Sequence, residues 1–469
     1  MSDLKPNTQM MRSPGIKLLL VCGLALVMTI PALFVFGIVF DRSSRAETTR
    51  SEIAAAAGGP QKVTGPVLVV PVELQNKDGI WQVVDTLLLF AERASASAVL
   101  DVTTRQKSLY KVQVYGADLA FEARFDLAAL KGTFDTRRKL ALGQAQILIG
   151  VSDLRGALGD AWLDGVDGAK RKFAPFSGDL SLNAVADVWD EDHVGSRVLN
   201  KYQFSPGFGQ AISVPVGDLL GEEQLQIKVN FKLGGGRQFS LVPFASTTDL
   251  SIKGNWPHPG FGGEFLPTTR QITEAGFQAS RTIPSLASGL PALAYDSTFT
   301  GWNRGQTGMQ VKLVEKSSPY QYVSRSLKYA LLFIGFVFLA YFLFEMKADQ
   351  PVHAAQYVLV GLAQSVFYLL LLAFSEHIGF DLAFAIAAIS TVGLTALYAG
   401  AVFGRAQTGP AIAVFGSVYG LLFVLMRLED YALLVGAISA FGAIATTMWM
   451  TRNLQWYGAP GSSGLALAE

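Results

Sequence analysis

LLLVCGLALVMTIPALFVFGIVF, residues 18–40, runs for 23 positions without a charged side chain. A helix that crosses a hydrocarbon core of about 30 Å needs roughly 20 such residues, so this run is long enough to span a membrane. Lys5, Arg12 and Lys17 precede it, as in the n-region of a signal peptide. The run is nevertheless long for a cleavable signal, and no small-x-small site follows it directly; the cluster Ala54–Ala57 comes too late. An uncleaved anchor is the expectation. Cys22, the single cysteine, lies within it, so no disulfide and no cysteine-based metal site can form elsewhere. The bulky Val21 before it does not fit a lipoprotein signal, which leaves a lipid-facing thiol.

Towards the C-terminus the composition changes sharply after Lys328. Five apolar runs follow, at 329–344, 355–374, 382–403, 411–426 and 431–450, with short breaks between them. Cations near span ends set orientation. Lys347, Arg405 and Arg452 fall on one side with Lys5, Arg12 and Lys17, while Glu376, Asp381, Glu429 and Asp430 fall on the other. Arg427, Arg325 and Lys328 run against the trend. The count predicts six spans, cytoplasmic termini (1–17 and 453–469), and residues 41–325 outside. No ionisable side chain sits near the middle of the five runs in 326–452. Such groups are kept mainly for proton relays and ion sites, so an ion-coupled pump is not expected. Gly400-x3-Gly404 and Gly416-x3-Gly420 read as close helix-packing faces.

Residues 41–325 have a period of two. VLVVPVEL (67–74), KVQVYGADLAFEARFDL (111–127), QLQIKVNFKL (224–233), QFSLVPFA (238–245) and GMQVKLV (308–314) alternate or run apolar between Gly, Pro, Asn and Asp. LGGGRQ (233–238) reads as a hairpin link, and Ser43–Ala57 as helix leaving the membrane. About ten strands are expected, in one sandwich-like all-β domain or two smaller units, large enough to bury a core without disulfides. The predicted fold class is therefore a membrane α-helical protein of six transmembrane helices plus a large all-β periplasmic domain. Across 469 residues, 50% are hydrophobic and only 16% charged, with a net charge of +1. That balance offers nothing to a nucleic acid.

The chemistry is mostly negative. His193 and His258 are the only histidines of the β region. His258 lies in NWPHP (255–259), which reads as a rigid extended turn with Trp256 beneath it. DEDH (190–193) reads as a solvated loop. No HExxH, GxSxG or phosphate-binding loop appears in a supporting context. No catalytic residue, metal ligand or cofactor is expected, and the protein reads as non-enzymatic.

Several stretches are more particular. GPQKVTGPVLVVPV (59–72), VSDLRG (151–156), GNWPHPGFGGEFLPTTRQITEAGFQA (254–279), YLLLLAFSEHIGF (368–380) and LEDYALLVG (428–436) together resemble the CreD family of bacterial inner-membrane proteins. The resemblance runs from the first apolar run to the last. It implies the inner membrane of Gram-negative bacteria and an association with cell-envelope integrity and stress tolerance, including tolerance of certain colicins. It brings no catalytic residues. The positions that match are Gly59, Pro60, Gln61, Gly65 and Pro66; Asn255, Trp256, Pro257, His258 and Pro259; Phe265, Leu266 and Pro267; Ser375, Glu376 and His377; and Glu429 with Asp430. Gly59–Pro66 is expected to aim the chain away from the lipid after the anchor. Glu376, His377, Asp381, Arg427, Glu429 and Asp430 are expected to form a polar seam that docks the β domain. The expected partners are membrane lipid and periplasmic envelope proteins or cell-wall components. The alternative is transport or export of a small or lipidic molecule, which predicts a polar path of facing Gln364, Ser365, Ser390 and Thr391.

Overall fold

The computed structural model describes residues 14–130, 138–176, 210–221, 223–297, 308–315, 319–348, 352–428 and 431–452. His193 with its DEDH loop, and Glu429 with Asp430, lie outside them. The chain forms two compact units: Met1–Ala46 with Ser317–Glu469, and Glu47–Lys316.

Among the described residues six helices are long and apolar enough to cross a membrane: Gly15–Ala56, which runs on past the last residue of the first unit's N-terminal part, and Ala330–Ala348, Ala354–Ile378, Phe380–Phe403, Arg405–Arg427 and Ala432–Thr451. The first breaks at Met28, between Pro14–Val27 and Thr29–Ala56. Pro31 has no N–H for the Val27 carbonyl, which is sufficient reason for a break there. Met28 and Phe338 both pack on Gly361, and a Cβ at Gly361 would come 2.5 Å from the Met28 Cγ. Phe333, Phe367, Tyr368 and Tyr419 form the aromatic centre, with Phe333–Tyr419 and Phe367–Tyr419 ring centroids 4.7 and 4.8 Å apart. One glycine pattern needs correcting. Gly400 does meet Thr408, but Gly404 ends a helix at φ +98°, and among the described residues nothing lies within 4 Å of a Cβ at Gly404, Gly416 or Gly420.

Ion pairs mark the two ends of this unit. Lys17 pairs with Glu345, so the start of the first span lies beside the end of the second. Arg42 lies 3.6 Å from Glu376, so the far end of the first span meets the end of the third. Arg427 pairs with Asp381. Spans that alternate in direction produce this arrangement.

The second unit holds two sheets. One has eight strands in the order Thr269–Thr273, Gly276–Ile283, Ala245–Gly254, Ala91–Lys107, Tyr110–Asp126, Gln224–Gly236, Trp162–Asp164 and Lys170–Lys172. Its long strands alternate as a half-buried sheet must. Along Tyr110–Asp126, Ala117, Leu119, Phe121, Ala123 and Phe125 are buried, while Asp118 and Glu122 point out and pair with Lys232 and Lys228 directly opposite. The other sheet has ten strands built around Gln61–Gln75, which pairs parallel with Gln238–Val242 and antiparallel with Trp81–Leu89, Arg138–Leu140 and Gln146–Val151. Side chains of both sheets meet in one buried cluster that includes Val63, Leu68, Phe121, Phe125, Ile149, Phe239 and Ile252. The number of strands exceeds the expected ten because many are short pairings of two to five residues, too brief to show a period.

LGGGRQ is not a hairpin link. Gly234–Gly236 still pairs with Val114–Gly116 in the eight-stranded sheet, and Gln238 begins a strand of the other sheet. Arg237, at φ +67°, makes the turn between them.

Candidate functional site

The end of the anchor helix is built into the β unit by the residues of the first particular stretch. Gly58 N and Gly59 N donate to Ala55 O and Ala54 O at 3.0 and 2.7 Å, and Gly58 and Gly59 have φ of +106° and +66°. This glycine-terminated helix end is followed by Pro60, which cannot extend it. Gln61 then turns inward, fully buried. The two Nε2 protons reach Gly58 O (2.8 Å) and Asp153 O (2.9 Å), with Gly234 O (3.3 Å) sharing one of them, and its Oε1 accepts from Asp153 N (3.3 Å). One side chain thereby ties together the helix end, the VSDLRG turn and the glycine strand. Gly236 N donates to Gly59 O at 2.8 Å, and Ala54 fills the space that a Cβ at Gly236 would occupy. Ala54 is buried with Val112 and Val114. On the outside of the joint, Arg237 pairs with Glu47 at 2.5 Å and Arg50 with Glu315 at 3.2 Å.

The electrostatics of this joint follow from burial. Tyr115 donates its hydroxyl to Gln238 O at 2.6 Å, and burial pushes that phenol well above its ordinary value. Burial likewise lowers Lys62, partly opposed by Glu264. Burial acts to raise the Asp153 carboxyl, but hydrogen bonds from the Arg155 side chain and backbone hold it below the usual range. Asp153 caps the short turn Leu154–Gly156 in this way.

Gly65 and Pro66 do something other than steer the chain. They lie inside the strand Gln61–Gln75, where its register with Gln146–Val151 shifts between Thr64 and Val67. A Cβ at Gly65 would overlap the ring of Phe244, which itself lies 5.7 Å from the Phe121 ring. The missing side chain admits Phe244 to the core, and a bulge is where a sheet tolerates proline.

NWPHP is a structural pin. Asn255 Oδ1 accepts from Val102 N at 2.6 Å, and its Nδ2 donates to Asp101 Oδ1 at 2.9 Å. Trp256 Nε1 donates to Val314 O at 3.1 Å, and its ring lies 6.4 Å from that of His258. Pro257 precedes His258, and Pro259 opens a short strand that pairs with Met309–Leu313. The stretch thus bridges both sheets. His258 is exposed, with no metal-binding group of three or more His, Cys, Asp or Glu among the described residues.

In the membrane unit, Glu376 accepts from Tyr320 Oη at 2.9 Å besides its contact with Arg42, while His377 is exposed. The partners of Glu376 are therefore in its own unit. A network that sequence reading missed lies at the opposite end. Glu345, 3% exposed, accepts from Lys17, from Tyr357 Oη at 2.7 Å and from Val352 N at 2.6 Å. Its only signal was an acid directly after an apolar run. Of the four side chains of the polar path, Ser390 is exposed on the outside, and Ser365 and Thr391 donate to carbonyls of their own helices. Gln364 is fully buried, and neither of its polar atoms finds a partner among the described residues. Replacing an unsatisfied buried amide by an apolar group of similar size is expected to stabilise, by about 1–3 kcal/mol for Gln364→Leu. Thermal unfolding of the full chain in detergent checks this, and a lower midpoint would show that the amide has a partner.

The sequence matches the family described as "Inner membrane protein CreD" over residues 13–457. It is 30% identical over 456 residues to the Inner membrane protein CreD of Escherichia coli (strain K12), covering 96% of this chain and 95% of that one. Among solved structures, an M1 zinc metallopeptidase from Deinococcus radiodurans aligns at 10% identity, covering 80% of this chain and 96% of that chain with a TM-score of 0.19. A mutant of that peptidase bound to a Tyr-Ser-Ala substrate aligns with a TM-score of 0.18, at 10% identity over 79% of this chain and 96% of that chain. Scores this low carry no argument about fold or activity. A match that begins at the first span and reaches past the last makes this chain a member of the CreD family of inner-membrane proteins.

Proposed function

We propose that this multi-pass protein supports cell-envelope integrity through its β region, without catalysing a reaction. The observation that carries the reading is the socket around Gln61. The anchor helix ends within the fold of the β unit and is tied there by buried hydrogen bonds, as suits a part that bears load or presents a surface. The internal pairing of Glu376, Glu345 and Asp381 favours a scaffold over a conduit. In this reading the two sheets form a sandwich-like periplasmic domain, with both termini in the cytoplasm. Lys17, Lys347, Arg405 and Arg452 support that orientation by the positive-inside rule. Its partners are membrane lipid and envelope proteins or cell-wall components.

Deleting the gene in its host is expected to increase uptake of a dye that the intact envelope excludes, with restoration by the full chain. Unchanged uptake under detergent and osmotic stress would sink the proposal. Orientation has its own readout: alkaline phosphatase joined after Ser297 should be active and a C-terminal green fluorescent protein should fluoresce. The reverse pattern overturns the placement.

A further inference from the structure

The last span is the least embedded of the six. Only 6% of its apolar stretch is buried inside the protein, against 28–56% for the first four and 33% for the fifth. Between it and the spans Ala330–Ala348 and Arg405–Arg427 lies an open groove of about 290 Å³. The groove runs from Phe336 to Leu343 along the second span, a rise of roughly 10 Å.

Its lining contains four hydroxyls, and each spends its one proton within its own helix. Ser417 and Ser439 donate to Val414 O and Val435 O, each at 2.7 Å, and Thr446 and Thr447 to Gly442 O and Ala443 O, each at 2.8 Å. The groove therefore offers a guest no free hydroxyl donor and is mainly apolar at membrane depth, where an unfilled gap forfeits dispersion contacts on every wall. A hydrocarbon chain fits that requirement and water does not.

One end of the groove is charged. Lys347 stands four residues beyond Leu343 and so continues the same helix face. The two other lining helices carry Arg405 and Arg452 at this membrane face, and Arg452 stacks over Trp449 at 5.4 Å. None of the three cations is ion-paired with another described residue, whereas the opposite face holds the pairs Arg42–Glu376 and Arg427–Asp381. Cationic ends between transmembrane helices recognise anionic headgroups.

We infer that the groove between the second, fifth and sixth spans holds an acyl chain of an anionic phospholipid whose phosphate is bound by Lys347, with Arg405 and Arg452 flanking it. The inference does not depend on the envelope role proposed above.

The test is native mass spectrometry of the full chain released from neutral detergent with equal amounts of dioleoylphosphatidylglycerol and dioleoylphosphatidylcholine. Phosphatidylglycerol should be retained preferentially, and Lys347→Gln should reduce its retention about fivefold. Ala443→Phe, which fills the groove, should remove the bound lipid. Equal retention of the two lipids, or unchanged phosphatidylglycerol retention in either variant, overturns the inference. A photoreactive diazirine on the acyl chain tests the unaltered chain independently of any folding defect. Label concentrated on residues 336–343, 414–421 and 439–447 supports the site, and label spread evenly over all six spans overturns it.

Discussion

Gln61→Leu is expected to cost the β region about 4 kcal/mol of unfolding free energy, a large part of what holds a domain together. The side chain is fully buried and its two amide protons and its oxygen serve three carbonyls, one of them by a shared proton, and one N–H from three separate segments. Leucine fills the volume but leaves these groups facing an apolar surface, at about 1–3 kcal/mol for each that finds no substitute. Gln61→Glu should be no milder, because a carboxylate would face the oxygens of Gly58, Asp153 and Gly234. Chemical denaturation of the full chain gives the magnitude. Hydrogen exchange gives the location, with protection lost first at Lys62 and Ser152, which are bonded to each other. A midpoint equal to that of the unaltered protein would mean that the socket does not hold the helix end.

The adjacent glycines supply a second and sharper expectation, because they differ although they are neighbours. At Gly58, φ is +106° and a Cβ would come 2.6 Å from Gly234 O and 2.7 Å from Gly156 Cα. Both obstacles are backbone and cannot swing aside. Gly58→Ala therefore combines strain of about 1–3 kcal/mol with an overlap that must push the strand away, roughly 3–5 kcal/mol in all. At Gly59, φ is +66° and the nearest heavy atom is 3.9 Å from a Cβ, so Gly59→Ala should cost only about 1 kcal/mol. Thermal unfolding of the two variants side by side decides the matter. Equal losses would mean that backbone conformation alone, and not the close approach of three segments, sets the requirement for glycine.

Much of this architecture is legible in the residues because it depends on local period. The anchor, the five later spans and strands such as Tyr110–Asp126 and Gln224–Gly236 each bury a face that repeats along the chain. The site is less legible because its meaning depends on residues far away. Gln61 looks like an ordinary polar residue until Asp153 and Gly234 are placed beside it, 92 and 173 positions on. Gly65-Pro66 has the composition of a turn, and only the ring of Phe244 explains why it is a bulge within a strand. Glu345 gives no hint of Lys17, which lies 328 residues earlier. The pattern Gly416-x3-Gly420 shows the opposite failure, a legible signal with nothing packed against it among the described residues.

The strand Gln61–Gln75 also imposes an order in time. It is among the first parts of the β region to be made, yet its parallel neighbour places Phe239 opposite Gln61, 178 residues later. At roughly 5–20 residues per second, that neighbour follows after about 10–35 s. Until then Val63 and its apolar companions have no permanent cover on that side. The nascent chain must pass through this interval unaggregated and uncut. Its early apolar strand is thus the segment that a chaperone has most reason to hold and a protease has most opportunity to reach.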